Sequence, residues 1–307
     1  MKLLAEALAR RLERLPEGTT CYRWIDDELP GVTVDRFDSV AVLSLYDDAA
    51  DERAIAEALA ATGGIEAVYV KRRPREARKL ANEAADALAP PLPLIGKPVE
   101  SLTVTELGAR FEIRPGNGLS VGLYLDARDA RAWVRANARG RTVLNTFAYT
   151  CAFGVAALLG AAKRAVNLDY SRKVLDWGGR NLTLNQLPVN RFDFISGDAF
   201  DWLARFAKKA ETFDVVILDP PGFATTKSSR FTAERDYHRL VAAARRVVAP
   251  GGSLLAMCNV EQSERAFEDQ LAHGLIGRKA REVTRFGASG VDFRQPSALR
   301  CHVLELE

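Results

Sequence analysis

R-T-V-L-N-T-F-A-Y-T-C-A-F-G-V-A-A-L-L-G-A-A-K-R-A-V-N-L-D, residues 141–169, is the stretch whose reading decides the fold. Thr142-Val143-Leu144 is a short β-rich apolar run, Asn145 to Thr150 a polar and aromatic loop, and Ala152 to Leu159 an almost wholly apolar segment of helical length. Ala165-Val166-Asn167-Leu168 then reads as a second strand that stops on the carboxylate of Asp169. In open sheets built from such β-loop-α-β units, ligands sit outside the carboxyl ends of the strands. The loop and Asp169 therefore face one crevice.

What the loop lacks narrows what the crevice binds. A pyrophosphate needs backbone N–H groups brought close by several glycines, and the one glycine between Asn145 and Leu159 is Gly154. A dinucleotide is disfavoured. S-adenosylmethionine (SAM) carries no phosphate; it offers a ribose diol, an adenine and an amino acid head. Asp169 would accept two hydrogen bonds from the diol, and the Asn145 to Thr150 loop would hold the amino acid end. The plainer reading is that Asp169 caps the helix begun by Tyr170-Ser171-Arg172-Lys173.

Later segments fit the same crevice. Phe192 to Ser196 is a third apolar run, and Asp198 behind it is a candidate acceptor for the adenine amine. Phe213 to Leu218 reads as a buried strand ending in Asp219-Pro220-Pro221-Gly222-Phe223. Two prolines fix φ and leave carbonyls without N–H donors of their own, so this turn is a rigid acceptor platform with an aromatic ring to stack on a planar substrate. Thr225 to Arg230 is a polar, basic loop placed to close over that substrate, and His238, among charged residues, reads as a surface or hinge histidine. Ser253 to Met257 is a fifth strand, with Cys258-Asn259 at its carboxyl end.

The order N-x-F-x-Y-T, L-D-Y-S, G-D-A and L-D-P-P-G-F resembles class I SAM-dependent methyltransferases of the 23S ribosomal RNA large-subunit I and K type. Gly122 to Arg128, G-L-Y-L-D-A-R, and Leu29 to Phe37, L-P-G-V-T-V-D-R-F, extend the resemblance over the chain from Tyr22 onward. It implies a seven-stranded, mostly parallel, Rossmann-like α/β sheet. It also implies cofactor contacts at Tyr124, Asp126 and Arg128, at Asn145, Phe147, Ala148, Tyr149 and Thr150, at Asp169, Tyr170 and Ser171, and at Asp198, Ala199 and Asp219. The base would be oriented by Asp219, Pro220 and Pro221, with Phe223 stacked on it. In I-type members a thiol at the fifth strand's end adds to cytosine carbon 6 so that carbon 5 can be methylated. K-type members, acting on a guanine nitrogen, need none, and M-C-N around Cys258 sits between the two patterns. Leu119-Ser120-Val121-Gly122 lacks the lysine the family usually carries, which bears on the substrate more than on the cofactor. The segment from Gly290 to Pro296 resembles the K-type one and is expected to border the substrate pocket.

The 307 residues suggest two domains. Residues 1–95 would form an α+β module with a leading amphipathic helix, and 96–307 the SAM domain, opened by a hairpin-bearing segment at 100–128. Within the first, Gly31–Phe37, Val40–Leu45 and Ala67–Val70 read as strands and Glu52–Ala61 as a helix, while the proline-rich run Ala89–Pro98 reads as a linker. About 20 residues precede the matching module, too few for the N-terminal PUA-type RNA-binding domain of I-type members. No apolar run long enough to span a membrane is present, and four scattered cysteines with three histidines argue against a metal site and for a reducing cytoplasm. A net charge of +3 permits an RNA partner without requiring one. The patch Lys71–Lys79 could track a phosphate backbone or be a solvated loop. The expected activity is methylation of a nucleobase in RNA. A small-molecule or protein substrate, a noncatalytic RNA-binding relative and a homodimer stay open.

Overall fold

The computed structural model describes residues 2–46, 49–73, 84–225, 230–293 and 295–307, which pack as two units, 1–125 with 289–295 and 126–288 with 296–307. In chain order the first unit holds α1 (Lys2–Leu12), β1 (Cys21–Leu29), β2 (Val32–Phe37), β3 (Val40–Leu45), α2 (Glu52–Ala60), β4 (Ala67–Arg72), α3 (Ala85–Leu88), β5 (Ile95–Gly96), β6 (Leu102–Glu106) and β7 (Ala109–Ile113). Strands β1 to β5 form one sheet in sequence order, parallel only between β3 and β4, where α2 makes the crossover. Trp24, Ile25, Val34, Leu43, Leu59 and Val68 fill its core.

Several expectations for this unit need correction. Cys21–Leu29 was not read as a strand because its charges break the alternation. In the fold Arg23 reaches Asp35 at 2.6 Å and Asp26 at 3.0 Å, and the pairing of β1 with β2 is irregular. The proline-rich run is not merely a linker: Ile95–Gly96 adds to β4 as a fifth strand. The β6–β7 hairpin turns at Leu107 and Gly108, φ 51° and 77°, the left-handed pair of a two-residue turn. It also belongs to this unit, since Thr105 N donates to Thr20 Oγ1 at 3.0 Å and Leu107 N to Thr19 Oγ1 at 3.1 Å. The packing boundary accordingly falls after Leu125, not after residue 95. Gly290 to Pro296, expected at the substrate pocket, lies largely in this unit too. Buried Asp292 accepts from Arg23 N at 3.2 Å, and Arg23 lies 4.5 Å from the Phe293 ring centroid. Of the basic patch, Lys71 is buried, Arg72 pairs with Glu52 at 2.7 Å and Arg73 donates to Leu119 O at 2.5 Å; these are fold contacts, and residues 74–79 lie outside the described chain.

The second unit runs α4 (Arg128–Asn137), β8 (Thr142–Thr146), α5 (Ala152–Leu159), β9 (Arg164–Asp169), α6 (Arg172–Leu184), β10 (Phe194–Ser196), α7 (Ala199–Lys208) and β11 (Phe213–Leu218). It continues with β12 (Phe223–Thr225), β13 (Arg230–Thr232), α8 (Ala233–Ala244), β14 (Val248–Cys258), α9 (Glu264–Gly274), β15 (Ala280–Phe286) and β16 (Arg300–Leu306). Its sheet has seven strands in the order β10-β9-β8-β11-β14-β16-β15. The first five are parallel, and β16 runs antiparallel to both neighbours. The central strands are largely apolar on both faces because helices cover both. Leu203, Leu240 and Phe267 from the helices pack with Leu144, Val166, Val216 and Leu254 from the strands. Strand order reverses between β8 and β11, and a crevice opens at the carboxyl end of such a switch.

The third apolar run is shorter than expected. Residues Arg191–Asp193 form a 3₁₀ turn because the Asn190 side chain accepts from Phe192 N at 3.2 Å, and the strand starts only at Phe194. Phe192 is thereby left 68% exposed. No helix among the described residues is long and apolar enough to cross a membrane.

Candidate active site

The last residues of β8 stitch the sheet together. Asn145 Nδ2 donates to Asn167 Oδ1 on β9 at 3.0 Å, and Thr146 Oγ1 to Ile217 O on β11 at 2.6 Å. Asn145 and Thr150 are both 1% exposed. Both side chains are thus enclosed by the fold. What the loop presents instead is backbone and the half-buried Phe147 and Tyr149. Phe147, Tyr149 and Cys151 all have left-handed backbones, φ 55°, 47° and 61°. Each costs a non-glycine residue about 1–2 kcal/mol, so neighbouring structure must hold the loop.

Asp169 does much of that holding. Its Oδ2 accepts from Tyr149 N and its Oδ1 from Ser171 N, both at 2.9 Å. Burial raises its pKa, and the N–H groups of Ser171, Tyr149 and Tyr170 act against that rise. The residue at the N-cap of α6 is Ser171 rather than Asp169. A carboxylate has about four lone-pair positions, so two bonds to the backbone leave room for a diol. Helix α6 supports the loop from its other side: Asn181 Nδ2 donates to Thr150 O at 2.9 Å, and a Cβ on Gly178 would stand 2.2 Å from Cys151 Sγ. Asp198 is the N-cap of α7, accepting from Phe200 N at 2.8 Å, with Ala199 buried next to it in the chain; Tyr170, just past Asp169, is exposed.

Across the switch, β11 ends in Asp219-Pro220-Pro221. Gly222 O accepts from Ala233 N at 2.9 Å, and the β12–β13 ribbon carries Phe223, 53% exposed. The closing loop at 226–229 lies outside the described residues. The buried Tyr237 hydroxyl lies 3.1 Å from Leu218 O and 2.8 Å from Met257 O. One side chain thus ties the strand end bearing Asp219 to the one bearing Cys258. Asp126 joins them, its Oδ2 accepting from Asn259 Nδ2 at 3.0 Å. Arg128 is buried in the first turn of α4. Tyr124 belongs to the other unit, exposed and hydrogen-bonded to Ser120.

Cys258 is 1% exposed. Burial, with the charge of Asp219 added, raises its thiol pKa, and a backbone bond from Val260, the Gln262 amide and the Arg300 charge act against that rise; Gln262 Nε2 donates to Sγ at 3.1 Å. Burial and the negative charge of Asp126 raise Asp219 to about 7, against the pull of Arg131. In the unfolded chain Asp219 titrates near 3.8, so between roughly pH 4 and 7 the folded protein keeps a proton that the unfolded chain releases. That contribution to stability is complete below pH 4 and is lost as pH rises through 7. Asp219→Asn should therefore gain up to about 4 kcal/mol over the native protein above pH 7, a difference that vanishes below pH 4. Denaturant titrations of both proteins across that range check it; parallel stability curves would remove the raised pKa.

Gln262, Arg131 and Tyr237 were not singled out in the sequence as site residues, and Asn259 was named only beside Cys258. Tyr237 had one signal, an aromatic residue in line with Leu240, Val241 and Ala244 on the buried face of α8. Among the described residues no group of three or more His, Cys, Asp or Glu is arranged to hold a metal.

The donor set tests what ligand fits. Around the crevice stand three carboxylates, Asp169 at the end of β9, Asp219 just past β11 and Asp126 just before α4, which repel phosphate and accept from hydroxyl and ammonium groups. A diol fits Asp169, and a sulfonium or ammonium charge fits Asp126 with Asp219. The residues present fit SAM.

A family model described as S-adenosylmethionine-dependent methyltransferase matches residues 21–273. A Photobacterium profundum protein named ribosomal RNA large subunit methyltransferase I is 34% identical over 92% of this chain and 71% of its own length. A protein of the same name from Cronobacter sakazakii is 34% identical over 78% of this chain and 61% of its own length. In fold, the chain is similar to a crystal structure described as a methyltransferase complexed with SAH, with a TM-score of 0.87 at 23% identity over 99% of this chain and 80% of that one.

Proposed function

The chain belongs to the S-adenosylmethionine-dependent methyltransferase family, and from that premise we propose that it methylates carbon 5 of a cytosine in large-subunit ribosomal RNA. The relatives' shared name supports the RNA. The observation that carries the choice of atom is Cys258, whose strand lies beside the one that ends at Asp219. A ribosomal substrate implies a cytoplasmic enzyme.

The bound cofactor supplies a methyl group already activated by a positive sulfur. Asp169 would hold the ribose, Asp198 the adenine amine, the Phe147–Tyr149 backbone the amino acid end, and Asp126 with Asp219 the positive charge. The Pro220 and Pro221 carbonyls would accept from the base's exocyclic amine, with Phe223 stacked on its ring. Carbon 5 of cytosine is too weak a nucleophile alone. The Cys258 thiol would give its proton to water and add as thiolate to carbon 6, forming an S–C bond and moving the π pair toward carbon 5. Once carbon 5 carries the methyl group its proton must leave; the double bond re-forms and the Cys258 sulfur is expelled. Asp219, with a pKa of about 7, suits the role of accepting that proton near neutral pH. The Gln262 amide would stabilise the thiolate while it waits.

The test is transfer of radiolabelled methyl from SAM to RNA from a strain lacking this gene, followed by nucleoside mass spectrometry. Labelled 5-methylcytosine is the expected product. A labelled methylguanine would move the reaction to a ring nitrogen. No label in RNA, with SAM still bound, would point to a small-molecule or protein substrate.

A further inference from the structure

At the sheet edge opposite β15, strand β10 and one face of α7 enclose a groove of about 630 Å³. Its walls carry Arg164, Arg191, Arg205 and Lys209 together with the rings of Phe192 and Trp202. Trp202, Arg205 and Lys209 follow one another at three- and four-residue intervals, so they stand on one helical face. Facing them is the 3₁₀ turn that leaves Phe192 68% exposed. The Arg191 guanidinium lies 4.7 Å from the Phe192 centroid, and that of Arg205 4.9 Å from Trp202. Arg164 is neutralised by Asp193 at 2.6 Å and Glu211 at 3.4 Å. Among the described residues Arg191, Arg205 and Lys209 form no ion pair.

Basic side chains in the last turn of a helix offset its dipole, which accounts for Arg205 but not for Arg191 and Phe192 on the opposite wall. An acidic protein surface would satisfy the cations and leave the rings in water. A single-stranded nucleic acid offers phosphates and flat base faces together. At one end the groove's lining reaches Ser196, which pairs in register with Asp169 and whose hydroxyl donates to Tyr170 O at 3.1 Å.

We propose that this groove is a track for the single-stranded RNA flanking the methylated base, with Arg191, Arg205 and Lys209 on phosphates and Phe192 stacked on a base. This rests on the RNA reading of the active site. None of these residues belongs to the cofactor or base machinery, so substitutions here should separate RNA affinity from chemistry.

The experiment compares the full-length native protein with an Arg191→Glu/Arg205→Glu/Lys209→Glu variant and with Phe192→Ala. It measures fluorescence anisotropy with a labelled single-stranded RNA oligonucleotide at several salt concentrations, methyl transfer to RNA, and SAM affinity. Losing three phosphate contacts should flatten the slope of log affinity against log salt by about 2. KM for RNA should rise by about tenfold or more, with kcat and SAM affinity unchanged. Phe192→Ala should weaken RNA binding by about fivefold or more, and its exposed position keeps it informative should the triple variant not fold. If the native protein binds and methylates RNA but the variants match it in affinity and slope, the track is wrong and the RNA reading stands. A native protein that neither binds nor methylates RNA overturns both. A dimer that the triple variant dissociates, with RNA affinity unchanged, would give the groove to a second copy of the chain and overturn the track.

Discussion

Cys258→Ala should reduce methyl transfer to RNA by at least about 10³-fold, in line with the loss of any covalent nucleophile, while SAM affinity stays within about threefold. The reasoning is chemical before it is structural. Methylation at carbon 5 requires a temporary bond at carbon 6, and the oxygen of a serine replacement would be a far poorer nucleophile at neutral pH, so Cys258→Ser should fare little better than alanine. The sulfur sits at the end of β14, 1% exposed, with an amide donor 3.1 Å away. Removing one sulfur from a packed position leaves a small void, so a modest drop in melting temperature is expected in both variants. Radiolabel assays beside thermal melts and SAM calorimetry separate the two effects. A variant that keeps full activity would make Cys258 a core residue and move the accepted methyl to a nitrogen that needs no activation.

The second large effect belongs to Asp169. Asp169→Ala should weaken SAM binding by about 10²-fold or more, since two charge-assisted hydrogen bonds to a diol contribute on the order of 1.5–3 kcal/mol each. The same carboxylate holds Tyr149 N and Ser171 N, so part of the loss would come from a loop no longer fixed in its left-handed conformations. Asp169→Asn separates the parts: its amide oxygen can still accept from one backbone N–H, but it carries no charge for the diol. Its affinity should fall between the two. Calorimetry giving unchanged SAM affinity for the alanine variant would remove the cofactor assignment from Asp169, whatever the activity.

How much of this was legible in sequence depended on whether a residue's role was written in its neighbours. The β8–α5–β9 unit was legible because strands covered on both faces are largely apolar, as Leu144 on β8 and Val166 on β9 are. Asp219 was legible because two prolines follow it. Asn145 reads as a ligand because a polar residue at a strand end looks like one; only the neighbouring strand reveals that its amide nitrogen donates to Asn167. Cys21–Leu29 was hidden because Arg23 finds its acids on β2 and nearby on its own strand. Arg72 and Arg73 looked like a phosphate track until Glu52 and the Leu119 carbonyl appeared beside them. The pattern of α8 marked Tyr237 as buried but was silent on its bonds, because its partners, two main-chain carbonyls, carry no side-chain signature.

Gly178 stands on α6 behind the loop, and the absence of its Cβ is what lets Cys151 close it. In a genetic screen for lost methylation it would score beside Asp169, and its phenotype would be read as a cofactor defect. A map of this protein's ligands drawn from such a screen would gain a false member, one helix behind the true ones.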